Sequence, residues 1–267
     1  MQAVDILQSV QMRTRSPAFR RAWLSWIGVV VVIALWQIMV WLRVYPEFII
    51  PPPIAVIERF WEAILDGTLW LHTSTTVSQM LAGLAFGVTA AVILGTLIGK
   101  NRTLEAVLSP LIVAVQSTPV VAYAPLLVIW FGSGPTSKIV TSALIVFFPM
   151  LLNTMIGIRS VPPVLHDLMR SLNATRWQTF IKVEVPHSLP ILLGGLKVSA
   201  TLAVIGAVVG EFVMADAGLG RLINQARFSF DTPLVLVAVI TLAAIARIMY
   251  GMISLLERRL LFWQRRQ

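Results

Sequence analysis

Stretches of mostly apolar residues recur along this chain at a length that leaves few folds open. They cover residues 23–42, 77–99, 108–131, 139–158, 189–213 and 233–253. A bilayer core about 30 Å thick is crossed by roughly 20 helical residues. Inside hydrocarbon every backbone N–H and C=O must be satisfied within the segment, so each stretch is expected to be a helix. The expected fold class is therefore all-α: a polytopic membrane protein with six transmembrane helices. Of 267 residues, 57% are hydrophobic and 12% charged. A soluble domain of this length cannot hide that much apolar surface, so lipid is the expected solvent.

The formal net charge of +9 does not point to nucleic acid, because the basic residues sit in clusters between the apolar stretches. Arg13, Arg15, Arg20 and Arg21 precede the first stretch, and Lys100 and Arg102 follow the second. Arg159, Arg170, Arg176 and Lys182 follow the fourth, and Arg258, Arg259, Arg265 and Arg266 follow the sixth. The alternate loops hold Arg43, Arg59, Lys138, Arg221 and Arg227, offset by acidic residues. The positive-inside rule then places both termini in the cytoplasm. The first stretch is too long for a signal-peptide core and no small-x-small cleavage site follows it, so it reads as an anchor. There is no cysteine, which excludes disulfides and thiol chemistry. His72, His166 and His187 lack ligand-like spacing, so no metal site is expected.

Three local patterns refine this picture. Gly83, Gly87, Ala91, Gly95 and Gly99 recur every four residues and predict a close helix–helix seam, by default within the chain. Ile57, Phe60, Trp61, Ile64 and Leu65 share one face of an amphipathic helix over residues 54–65, expected to lie on the outer interface. Its expected role is packing, with contact to an external partner the lesser reading. Pro110, Pro119 and Pro125 interrupt the third stretch. They either mark a pathway element, where protein or water satisfies the freed backbone, or merely shape packing.

The polar insert 159–187 between the fourth and fifth stretches carries the functional signal. Leu165, Leu168, Met169 and Leu172 share one helix face, and Trp177, Phe180 and Ile181 share another. Asn173 between them tolerates the left-handed conformation of a sharp turn. Pro186 is expected to stop the second short helix. The expected result is a cytoplasmic elbow with an apolar knuckle and a basic rim, hung from rigid helices at both ends.

The spacing of this insert resembles the E-A-A-x3-G-x9-I-x-L-P signature of binding-protein-dependent transport permeases, the membrane subunits of ABC importers. The signature falls on Asp167-Leu168-Met169, Asn173 and Val183-Glu184-Val185-Pro186, with complete spacing but altered residue types. The flanking Arg170-Ser171-Leu172 and Arg176-Trp177-Gln178 resemble the nitrate/sulfonate/taurine branch, which includes riboflavin and thiamine-pyrimidine importers. Further resemblance lies in Ile50-Pro51-Pro52-Pro53, Trp130-Phe131-Gly132, Phe148-Pro149, Leu152-Asn153-Thr154, Gly210-Glu211-Phe212 and Gly218-Leu219-Gly220. It implies a cytoplasmic segment over residues 1–22 followed by a permease domain over 23–267. It also implies a homodimer in a bacterial-type plasma (inner) membrane, with each elbow seated in a groove of a cytoplasmic ABC ATPase. An extracytoplasmic solute-binding protein would deliver the cargo. Coupling would fall to Asp167, Leu168, Met169, Arg170, Asn173, Trp177, Phe180, Val183, Val185 and Pro186.

No G-x-x-x-x-G-K-[ST] phosphate loop occurs in the chain, so no cofactor is expected on it; ATP and Mg belong to the partner ATPase, and the chain itself is not expected to be an enzyme. Charged residues within apolar stretches are functional candidates by default. Lys197 and Arg247 are expected to reach the cytoplasmic interface. Glu211, near the outer end of the fifth stretch and among Gly206, Gly210, Gly218 and Gly220, is a gate candidate together with Pro119 and Pro125. No cationic cluster lines the stretches, which favours an uncharged or aromatic nutrient such as a vitamin or its precursor over sulfonate, taurine or nitrate. A secondary transporter is the rival class, but no internal repeat between the halves supports it.

Overall fold

Every regular element is helical among the residues described by the structure, a computed structural model covering residues 18–43 and 45–262. The chain divides between Glu58 and Arg59 into two units. The first contains α1 (Ala18–Trp41), the expected anchor, and the chain that follows it. The α1 helix ends where Arg43 takes φ 50°. The Trp36 indole N–H donates to the Pro51 carbonyl at 3.0 Å, which fixes the triple proline back onto the helix that precedes it. Pro53 then opens α2 (Pro53–Leu65), a position where its missing N–H costs nothing.

In the second unit, α3 (Thr68–Lys100), α6 (Pro135–Arg159) and α9 (Val185–Val213) form the centre, with α6 packed between the other two. The glycine ladder explains half of this. A Cβ on Gly87 would lie 2.6 Å from the Ala143 carbonyl, and one on Gly95 would lie 2.7 Å from the Thr154 Cβ. On the other side of α6, a Cβ on Gly206 would lie 2.6 Å from the Ser142 Cα. Both seams are therefore backbone-close, the geometry that gains dispersion contacts lipid cannot supply. The ladder's partner belongs to the same chain, as expected. Met80, Val146, Ala203 and Ala207 fill one part of the core; Ala91, Met150 and Leu151 fill another. The last helix, α11 (Thr232–Leu260), packs on α9 and contributes Met249 and Ile253.

Two sequence expectations need correction. The third stretch is not one continuous helix but two, α4 (Arg102–Ser117) and α5 (Val120–Phe131), bent by 90°. The bend sits at Thr118–Pro119, both extended, whereas Pro110 and Pro125 lie inside continuous helix. A proline restrains the residue before it from helix, and Thr118 is that residue. By length and composition, four helices among the described residues can cross a membrane, or five if the bent pair counts as one span. The second correction concerns the stripe on α2, which is mostly unburied: Ile57, Trp61, Ile64 and Leu65 are exposed, Phe60 is half-buried, and the buried positions are Val56 and Ala63.

Candidate functional site: the elbow and the buried carboxylate

The elbow is built from α7 (Pro163–Ser171), a reversal, and α8 (Arg176–Thr179). Asn173 takes φ 49°, the left-handed conformation its side chain tolerates. The Ala174 N–H reaches back to the Met169 carbonyl at 2.9 Å, closing the end of α7. Thr175 and Gln178 form a capping box that starts α8. Pro186 does not stop this segment. A π-turn over Phe180–Glu184 leads straight into α9, with the Val185 N–H donating to the Phe180 carbonyl. The wider i→i+5 register carries the chain into α9, and Pro186 sits in its first turn, where an N–H is dispensable.

The apolar residues of the elbow sort into two sets. Leu168 (51% exposed), Leu172 (66%), Trp177 (67%) and Ile181 (46%) face outward, as does Val164. Leu165, Met169 and Phe180 are half-buried. Phe180 lies under Lys100, whose ammonium is 4.2 Å from the ring centroid, and its ring is 5.7 Å from that of Trp177. Lys100 also pairs with Glu184 at 2.6 Å. The α3 and α6 ends are tied by Arg159, which donates from Nε to the Gly99 carbonyl at 3.0 Å and pairs with Glu105. Thus the basic residues that mark topology also brace the elbow against α3. Of the other predicted residues, Asp167, Arg170 and Asn173 are exposed, while Val183, Val185 and Pro186 are half-buried. Asp167 and Arg170 pair with each other at 3.4 Å on the surface, a contact that contributes little.

Glu211 lies at the opposite end of α9 and is 1% exposed. Its Oε1 accepts from the Thr76 hydroxyl at 2.8 Å, and its Oε2 accepts from the Gly220 N–H at 2.7 Å. Thr76 in turn accepts from the Leu219 N–H at 2.7 Å. The His72 Nδ1 lies 2.8 Å from the Gly218 carbonyl. Together these bonds fasten the start of α10 (Leu219–Phe228) to α3 through one carboxylate. The surrounding glycines serve close approach rather than flexibility. Gly210 packs on the Lys138 backbone, and a Cβ on Gly218, which has φ 125°, would land on the Glu211 carboxylate. Pro119 and Pro125 are exposed on the bent pair and take no part in this network.

Sequence reasoning missed the partners. Lys138, assigned there to a loop, is on α6, 1% exposed, and donates to the Ser133 carbonyl. His72, Thr76 and Gln79 are all buried on α3, in a stretch where Thr73, Ser74, Thr75 and Ser78 are also polar, so no local pattern singles them out. Lys197 does not reach the interface alone but pairs with Glu257 across α9 and α11. Arg247 is exposed on α11.

Among the described residues, a helical bundle with several long apolar helices is the architecture of a polytopic membrane protein. Residues 83–262 match the family described as the binding-protein-dependent transport system inner membrane component, and the chain belongs to that family. It is 46% identical over 238 residues, 89% of each chain, to the riboflavin transport system permease protein RibX of Chloroflexus aurantiacus. It is 33% identical to the formylaminopyrimidine transport permease protein ThiX of Halalkalibacterium halodurans, covering 87% of this chain and 92% of that one. The taurine transport system permease protein TauC of Escherichia coli is 30% identical over 96% of this chain and 95% of its own. In fold, the chain is similar to a subunit of the inward-facing MetNI methionine ABC transporter, with a TM-score of 0.63, 19% identity, and coverage of 73% of this chain and 95% of that one.

Proposed function

We propose that this chain is the membrane-spanning permease of an ATP-driven importer for a small organic nutrient, a vitamin or vitamin precursor such as riboflavin. The permease domain runs over residues 23–267 after a cytoplasmic segment. It spans the inner membrane six times, with α1 and the bent α4–α5 pair each counted once and both termini inside. Two copies pair, and the elbow of each enters a groove on a cytoplasmic ABC ATPase, which holds ATP and Mg and does the hydrolysis. A solute-binding protein delivers cargo at the outer face. Closure of the ATPases on ATP displaces the elbows and shifts the population from inward-open to outward-open. The cargo reading follows the riboflavin and formylaminopyrimidine relatives.

The observation that carries this reading is the elbow's combination of an exposed apolar tip and a braced base. Leu168, Leu172, Trp177 and Ile181 present one apolar surface outside the bundle, while Lys100–Glu184 and Arg159–Gly99 link its base to α3. A tip without its own partner and a stiff connection to a long helix are what a mechanical coupler requires. The test is Leu168→Glu, which places a charge at the tip without touching the brace. The permease should insert and fold normally, the ATPase should no longer co-purify, and ATP-dependent uptake should drop to background. Normal uptake with the ATPase retained overturns the coupler assignment. Phe180→Asp would disturb the brace as well as the tip, because Phe180 packs under Lys100.

A further inference from the structure

The π-turn at the foot of the elbow has a local cause. In an α register the Pro186 nitrogen would face the Lys182 carbonyl, which it cannot bond and which its ring would strike. The Val185 N–H instead donates to the Phe180 carbonyl, one residue beyond the α partner, and the turn opens ahead of the ring. Such turns are rare and are found most often at functional sites. A return to the α register would shift everything before the turn by one residue, about 100° around the helix axis. Leu168, Leu172 and Trp177, which form the exposed tip, would then point elsewhere.

One side chain from outside the elbow holds this turn. Phe180 and Glu184 are its first and last residues. The Lys100 ammonium, at the end of α3, lies 4.2 Å from the Phe180 ring centroid and 2.6 Å from the Glu184 Oε2. Glu184 is 9% exposed, and among the described residues its Oε2 has no partner besides that ammonium. The other cations lining the same recess are engaged elsewhere or face solvent. Arg159 is held by the Gly99 carbonyl and Glu105, Arg170 pairs with Asp167, and Arg176 is exposed. The α3 helix is thereby joined to α9 and its π-turn at both ends, by Lys100 on Glu184 here and by Thr76 on Glu211 at the other.

We infer that Lys100 is a positioning residue for energy coupling: by gripping both ends of the π-turn it fixes the direction in which the elbow's apolar tip points. The inference rests on the importer reading and deepens it. With Lys100 in place, a displacement of the tip carries α3 and α9 together. Without it, the tip rotates about the π-turn and the displacement is absorbed there.

The test uses the full transporter in proteoliposomes, with the permease, its ATPase and its binding protein. Spin labels on Ser171→Cys, exposed on the elbow, and Arg258→Cys, exposed near the end of α11, report the elbow's setting in complexes with one labelled permease copy. Lys100→Met alone leaves the Glu184 carboxylate buried and unpaired, so the informative variant is Lys100→Met with Glu184→Met. Exchanging both partners of a buried ion pair for apolar residues tends to preserve stability. This double variant should melt like wild type and retain the ATPase. Its label-to-label distance distribution should shift and broaden, and riboflavin taken up per ATP hydrolysed should fall about fivefold or more. Lys100→Arg, which keeps a cation over Phe180, should recover most of both. Should the double variant not assemble, Phe180→Leu removes half of the grip without stranding a charge, and the same readouts apply. An unchanged distance distribution overturns the positioning role, whatever the cargo. A changed distribution with wild-type uptake per ATP overturns the part played in coupling. Uptake that continues without the ATPase, alongside a changed distribution, overturns the importer reading and retains the grip on the turn. Absence of riboflavin uptake in the wild type overturns the vitamin assignment, and the distance measurement, which needs no cargo, still decides the positioning role.

Discussion

At the scale of single residues, Glu211 shows how a charge survives among apolar helices. It is buried because both oxygens are occupied, one by a side-chain hydroxyl and one by a backbone N–H at the start of α10. Removing the carboxylate leaves the Thr76 hydroxyl and the Gly220 N–H without an acceptor, at about 1–3 kcal/mol for each buried unsatisfied group. Glu211→Ala is therefore expected to lower the melting temperature of the purified permease clearly. Glu211→Gln should do so less, since an amide oxygen still serves one of the two donors. If Glu211→Gln matches wild type in both melting and uptake, the carboxylate has neither a structural nor a gating role. The network was half legible in the sequence. Glu211 stood out as an acid in an apolar run, and the glycines around it were visible. Its Gly220 partner is nine positions away, but Thr76 comes from α3, over a hundred positions earlier, and nothing local to Thr76 announces a distant carboxylate. Lys138 was misplaced for a related reason: its neighbours look like a loop, but α6 begins at Pro135 and already buries it.

At the scale of elements, local pattern and tertiary packing agree best along α3. The four-residue spacing of small side chains sets one face of the helix, and α6 fills that face. A Cβ on Gly87 meets backbone oxygen at 2.6 Å, so Gly87→Ala forces the two helices apart rather than rotating a side chain. Overpacking of this kind costs about 1–3 kcal/mol, and the check is a thermal melt of the purified protein beside Gly194→Ala. Gly194 has open space around it and should be close to neutral. Equal effects at the two glycines would mean that α3 and α6 do not form the close seam. Where sequence reading failed at this scale, the cause was proline. Pro119 and Pro186 carry the same residue-level rule and have opposite outcomes. One sits between helices at a 90° bend, and the other lies in the first turn of α9 after a π-turn. The rule forbids a hydrogen bond; the neighbouring elements decide whether the helix ends.

For the whole molecule, the proposed topology places the elbow and the carboxylate lock on opposite sides of the membrane. The elbow and the Glu211 network lie at opposite ends of α9, a helix of 29 residues, or about 43 Å at 1.5 Å per residue. That is longer than the hydrocarbon core, and under the proposed topology the two ends face different compartments. In the proposed mechanism, a push on the elbow and the movement of an outer gate are the two ends of one helix packed along α6. The absence of cysteine makes this directly measurable, because introduced thiols have no background to compete with. Ala174→Cys marks the elbow reversal, and Asp66→Cys marks the exposed turn between α2 and α3. In intact cells or right-side-out vesicles, a membrane-impermeant maleimide should label Asp66→Cys and leave Ala174→Cys untouched until the membrane is opened. Inside-out vesicles should reverse the pattern. Labelling of both positions from one side would break the link between elbow and gate, since a push delivered inside would then have no outer end to move.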